Sequence, residues 1–534
     1  MPRVRSLLPV LLAVLGAGIG CQQGPSSSPD DPGSTDSPAG RYATTRLDAD
    51  VGALPDDQRK MVSLFVEAAQ TMDGVFWEQA YGNRDSLLQA IADPQRRRYA
   101  ALNYGPWDRL RGGAPFVEGA GPRPPGANFY PSGLSADALR RTARTTDALD
   151  APTTMVRRLP DGTLTALPYH LFFAEALTTA AGRLREAAPL APTDAQRSSL
   201  ERRAEALMTE AAPMADAPAR PRAVRLVIGS MPTGEDRLLG VKASATALVL
   251  RRDSARSRRL ARIGDRLPAL WSARSVPDRL RPAAPTDDTP VYDDAAAYDA
   301  LYVAGGLNAG PKPTALPPPA AAGADRRPLL LANVARATAD TLLRPLADAL
   351  LAEPLASRVT ADAVFDVTAL RQAARTALPD TASALRTAGT ADALGLLLAT
   401  ALAARRDGGP DSTAYYATGL AHLAHTLRVD SAAAAGRAAR ASFNYLRKQG
   451  ALSHDAGTGR YAVAPDTMAR ALPTLARAWL GPPAAPAFAE RHDAMPAALR
   501  SALRRLERTG APRALAFEQG PSILRGLAPA TAAR

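Results

Sequence analysis

Five histidines, His170, His422, His425, His454 and His492, are all the imidazole this chain offers for metal binding or proton transfer. His422 and His425 stand three apart in a helical pattern with Asp430 following, a spacing that two metal ligands can use. Partly exposed helix histidines are the more ordinary outcome of that spacing and the favoured reading. Glu235 and Asp236 form an adjacent acidic pair, and Asp108 lies in an aromatic, glycine-rich stretch. The sequence holds no P-loop, no GxSxG elbow and no paired-cysteine metal motif. Any hydrolytic chemistry would therefore recruit Asp108, His170, Glu235 or the His422/His425 pair.

Cys21 is the only cysteine, which excludes a disulfide framework within one chain. It follows Arg3, Arg5 and an apolar run from Leu7 to Ile19 that is too short to span a bilayer. The small residues before Cys21 resemble the lipobox of bacterial lipoproteins, in which the thiol is acylated after cleavage. Residues 1–20 are thus expected to be a signal peptide, and Cys21 a lipid anchor. Residues 21–40, rich in Ser, Pro, Gly and Asp, cannot bury enough surface to fold and read as a flexible tether. Gln22 after Cys21 points to the outer membrane, with the periplasmic or surface face left open.

The formal net charge is +13, carried by 61 arginines and only four lysines, which with abundant alanine reads as the bias of a GC-rich genome. The densest basic stretch, Arg251 to Arg262, lacks interleaved aromatics, so it offers no stacking platform and nucleic acid is not an expected partner. A solvated helix face is expected there, with attraction to anionic lipid as an alternative.

The elements that must position these residues are mostly helical. Met61, Leu64, Phe65, Ala68, Met72, Val75, Phe76 and Ala80 recur at helical spacing. From Asn103 to Pro131 the chain is dense in Gly, Pro and aromatics and reads as a long loop. Ala223 to Gly229 reads as a strand, and Ala243 to Leu250 as either strand or helix. Asp265 to Asp299 and Gly305 to Gly323 read as irregular, and Leu329 to Leu480 as alanine-rich helices.

The loop Asn103-Tyr104-Gly105-Pro106-Trp107-Asp108-Arg109-Leu110, with Pro124 to Pro131, is similar to a signature of bacterial dipeptidyl peptidase III proteins. Further matches fall in the family's order: Val227-Ile228-Gly229, Glu235-Asp236-Arg237-Leu238, Asn308-Ala309-Gly310, Leu331-Ala332-Asn333, Gly436-Arg437-Ala438 and Thr458-Gly459-Arg460-Tyr461. The resemblance runs from about residue 55 to 480. It implies an α+β, predominantly α fold with two lobes around a cleft. Residues 41–250 plus 301–345 would form a mixed α/β lobe, 251–300 plus 346–510 a helical lobe, and 511–534 a C-terminal tail.

Family members hold zinc with two histidines of an HExxH or HExxGH helix and a glutamate from an EExxAD helix. In this chain Arg371 and Arg375 stand at the histidine places, Gln372 at that of the general base, and Ala388 at that of the glutamate ligand, while Ala391 and Asp392 are retained. A guanidinium has no available lone pair and stays protonated, and glutamine is no base, so zinc is predicted to be absent and no cofactor is expected. The family's histidine before Gly436 is Ala435; its substrate-amine acid falls at Pro232, and the asparagines of another loop at Pro317 and Ala320. Trp107, Phe129 and Tyr130 are candidates for a peptide-binding cleft or for a rigid architectural loop.

The sequence therefore reads as a catalytically inactive, lipid-anchored pseudopeptidase of the cell envelope that binds peptide or a protein partner. The alternatives are an active metallopeptidase with a rearranged site and a structural envelope lipoprotein. The charges carry a sharper expectation: Arg371 or Arg375 pairs with Asp392, taking over the crosslinking role of a metal.

Overall fold

The computed structural model describes residues 38–47, 49–209, 222–273, 276, 296–316, 328–376, 378, 382–405, 409–481 and 484–519. Cys21, the expected signal segment and the expected tether up to residue 37 lie outside these residues, as do Pro317, Ala320 and everything beyond 519. The last tether residues are not irregular: Pro38–Arg41 form a 3-10 turn leading into the first strand.

Strand β1 (Tyr42–Arg46) precedes helix α1 (Asp56–Ala80), which opens on Asp56 and Asp57, acids that favour a helix N-terminus. Every apolar residue predicted for the inner face of α1 is buried. Phe65 and Phe76 are fully so, each side chain worth about 1.5–3 kcal/mol of transfer free energy. The helix lies against a five-stranded sheet built from β2 (Val224–Met231), β3 (Ser244–Asp253), β4 (Ala297–Gly305), β5 (Ala315–Leu316) and β6 (Leu329–Leu331). The strand order is β2-β3-β4-β6-β5, antiparallel except for the parallel β4/β6 pair.

Residues Ala243 to Leu250, open between strand and helix, are strand from Ser244 onward. The period of two is visible only in the packing: Ala245, Ala247 and Val249 join the core beneath α1, while Leu248 and Leu250 face the opposite core. A strand apolar on both faces carries no alternation to read.

The second large core belongs to the helical lobe. Its elements include α2 (Ser254–Trp271), α3 (Ala361–Thr376), α4 (Ala384–Ala403), α5 (Ser412–Val429), α6 (Ala434–Lys448) and α7 (Pro465–Leu480). The expectation of an α+β, mostly helical, two-lobed molecule holds, with local corrections, among them strands at Ala315–Leu316 and Leu329–Leu331 where irregular chain and helix were expected. Helix α2 continues through Asp265 to Trp271, with Pro268 inside it, where irregular chain was expected. The divisions at residues 250 and 300 cut through β3 and β4, which share one sheet with β2. The expected tail contains β7 (Ala514–Glu518), paired in parallel with β1 from Tyr42↔Ala514 to Arg46↔Glu518. The Gln519 side chain then accepts from Val303 N and donates to Val303 O, fastening the end of β7 to β4.

Candidate functional site

Helices α3, α4 and α5 bring the candidate residues together. Two glycines on α4 set the spacing. A Cβ on Gly395 would lie 2.7 Å from Arg371 Cγ and 2.9 Å from Arg371 Cα, so the α3 and α4 backbones touch at Arg371. A Cβ on Gly389 would lie 2.2 Å from the Trp479 ring, which seats α4 against α7. At this closeness Arg371 reaches across to Asp392, its Nε at 2.8 Å and its Nη2 at 2.6 Å from Oδ1. The expected pairing is thus present and runs through Arg371. Arg375, one turn on, is exposed.

The same carboxylate oxygen faces His422 Nε2 of α5 at 3.6 Å. Burial opposes charge on Asp392, but the Arg371 cation and the His422 contact outweigh it and hold the carboxyl at about 2. His422 is pushed below the usual histidine range by burial and then by Arg371, against the pull of Asp392. At neutral pH the trio is therefore a guanidinium, a carboxylate and a neutral imidazole. Behind it lies a void of about 10 Å³, lined by these three residues, Ser442 and apolar side chains such as Leu396 and Leu475.

The residues that the resemblance sets at metal positions do not fit zinc. Arg371 and Arg375 supply cations in place of lone pairs, and Ala388 supplies no ligand. Gln372 is buried with its Oε1 unpartnered. Among the described residues no group of three or more His, Cys, Asp and Glu side chains comes together to hold a metal ion. The His422/His425/Asp430 grouping does not form either. His422 turns to Asp392, and Asp430 Oδ1 accepts from Ala432 N and Ala433 N as a local turn.

The other sequence candidates separate into structure and surface. Phe129 is fully buried and Tyr130 nearly so, with its hydroxyl donating to Asp236 Oδ2 at 3.0 Å. Neither offers a face to a ligand, so at these two residues the cleft reading gives way to the architectural one. Trp107 is half-buried, its indole donating to Gly121 O at 2.9 Å. Asp108 is buried and accepts from Arg41 at 2.7 Å and from Leu110 N. Glu235 is clasped by Arg109 and Arg123, which outweigh its burial and keep it below the usual carboxylate range. Asp236 accepts four backbone N–H groups, from Leu238, Leu239, Val241 and Lys242, besides Tyr130. Pro232 is exposed, and the neighbouring Thr233 donates to Ser244 Oγ at 2.8 Å.

Sequence reasoning missed His422 as the third member of the Asp392 cluster. It also missed the bidentate pair of Arg259 with Asp366 on α3, at 2.6 Å for both bonds, with Tyr415 donating to the same carboxylate. The only available signal for the latter was an acid in the helix beside a basic stretch.

With this geometry in place, the likeness to solved structures is specific as to fold. Dipeptidyl peptidase III from Caldithrix abyssi superposes with a TM-score of 0.82 at 24% identity, covering 92% of this chain and 99% of that one. The enzyme from Corallococcus sp. strain EGB gives 0.77 at 23%, covering 92% and 98%. The chain has the dipeptidyl peptidase III-like fold. Nudix hydrolase 3 of Arabidopsis thaliana is 24% identical over 292 residues, 43% of this chain; the match spans only 38% of that protein's length. No family model matches the chain.

Proposed function

We propose that this chain is a pseudopeptidase on the dipeptidyl peptidase III-like fold, held in the cell envelope by a lipid on Cys21, that binds peptide or a protein partner without cleaving it. The observation that carries the reading is the Arg371–Asp392 pair, a charge-assisted bridge between the two helices that would have held a metal between them. The bridge needs no metal and commits Asp392 Oδ1 to a guanidinium. It also occupies the retained acid of the second helix.

The Asp392–His422 contact does not replace the lost chemistry. Thr426 Oγ1 approaches His422 at 3.5 Å, but on Nε2, the same ring nitrogen that faces Asp392. A relay needs an acid on one ring nitrogen and a nucleophile on the other.

The test is zinc analysis of the purified mature protein together with release of a dipeptidyl arylamide. The expected result is zinc far below one per chain and no chelator-sensitive release. Stoichiometric zinc with chelator-sensitive turnover ends this reading. Acylation of Cys21 is tested by mass spectrometry of the membrane-extracted protein, and an unmodified thiol removes the anchor.

A further inference from the structure

The basic stretch noted in the sequence does more than coat a helix. Arg259, Arg262 and Arg266 recur at i, i+3 and i+7 on α2, hence on one face, and line a concavity of about 340 Å³. Asp366 of α3, Leu402 at the end of α4, Asp411 and Tyr415 form the facing wall. That volume lies within the range of small-molecule sites, roughly 300–1,000 Å³.

The two acids of the wall are already committed. Asp366 is buried, takes both bonds of Arg259 and accepts from the Tyr415 hydroxyl at 2.7 Å, so the floor is close to neutral. Asp411 spends Oδ2 on Arg358 at 3.2 Å and Oδ1 on Ala414 N at 2.8 Å, capping α5. Neither acid neutralises Arg262, whose guanidinium is exposed on the same face of α2. The remaining surface, from Ile263, Leu402 and Pro410, is apolar.

We infer that this cavity binds a small organic anion, its carboxylate or phosphate held by Arg262 and its compact apolar part against Ile263, Leu402 and Pro410. A guanidinium presents parallel N–H donors that match either anion, and the neutral floor removes the repulsion that a free Asp366 would impose. The site is separate from the Arg371–Asp392 pair and does not depend on the pseudopeptidase reading.

Calorimetric titration of the mature chain carrying Cys21→Ser, which no lipid can anchor, with inorganic phosphate and with hexyl phosphate tests it, alongside flotation of the same variant with phosphatidylglycerol vesicles. Saturable binding of one anion per chain is expected, tighter for hexyl phosphate than for inorganic phosphate. Arg262→Glu should weaken it about tenfold or more, in line with loss of one charge-assisted hydrogen bond. Leu402→Trp, which fills the cavity without touching charge, should also weaken it, while Arg140→Gln on a distant exposed helix should not. Vesicle binding displaced by hexyl phosphate assigns the anion to a lipid headgroup; binding of hexyl phosphate without flotation assigns it to a soluble ligand. Absence of saturable binding, or binding equal in the Cys21→Ser parent, Arg262→Glu and Leu402→Trp, overturns the proposal.

Discussion

Two arginine–carboxylate clusters, one in each lobe, use the same chemistry to different ends. In the mixed lobe Glu235 is nearly inaccessible, at 3% exposed, and is held by Arg109 and Arg123 from the aromatic loop. Asp236 beside it receives five hydrogen bonds. In the helical lobe one oxygen of Asp392 takes Arg371 and faces His422, and both partners keep about a quarter of their side-chain surface in solvent. On the same three helices Gln372 Oε1, Thr390 Oγ1 and Thr418 Oγ1 are buried without a hydrogen-bond partner. A fully satisfied network fixes a single geometry, whereas a partly satisfied one carries a standing cost. The first cluster is built to hold the loop; the second leaves its guanidinium and imidazole partly open to solvent.

The comparison predicts an order of effects. Glu235→Ala strands two buried guanidiniums and should cost about 3–5 kcal/mol in denaturant unfolding. Asp392→Ala strands one guanidinium that already reaches water and should cost about 2 kcal/mol. If Asp392→Ala proves the more damaging of the two, the contrast between the clusters is wrong. Tyr130→Phe removes one hydrogen bond to the charged Asp236 and should cost about 1.5 kcal/mol; a neutral result would mean that the backbone donors alone define that turn.

The smallest effect is a slope. His425 is pushed down to about 3 by burial and then by His422 and Arg428, against about 6.5 in the unfolded chain. Between those values the unfolded state binds the extra proton, so this contribution is intact above pH about 6.5 and is lost as pH falls toward about 3. His425→Asn should flatten the stability profile across that window relative to wild type. Parallel profiles would remove His425 as a group that the fold holds neutral.

What was legible in the sequence follows from what side-chain type alone fixes. The α1 face was legible because it alternates at helical spacing, and the Arg371–Asp392 pairing because the family resemblance sets those residues on two facing helices, where opposite charges pair. Phe129 and Tyr130 were read toward a ligand, and composition cannot say which way a loop aromatic faces. Strand β7 escaped notice because its pairing partner lies at the other end of the chain. The partnership of Arg259 with Asp366 was equally hidden, since it joins helices 107 residues apart in sequence.

The β1–β7 pair also has a consequence in time. Tyr42 is among the first described residues to be made and Ala514 among the last. At ~5–20 residues per second, β1 waits roughly 25–95 s for the strand it pairs with. Any chain that stops short of residue 514 leaves that edge bare. The pairing therefore reports that synthesis has passed residue 518, and a chain cut before that point advertises itself by an unpaired strand.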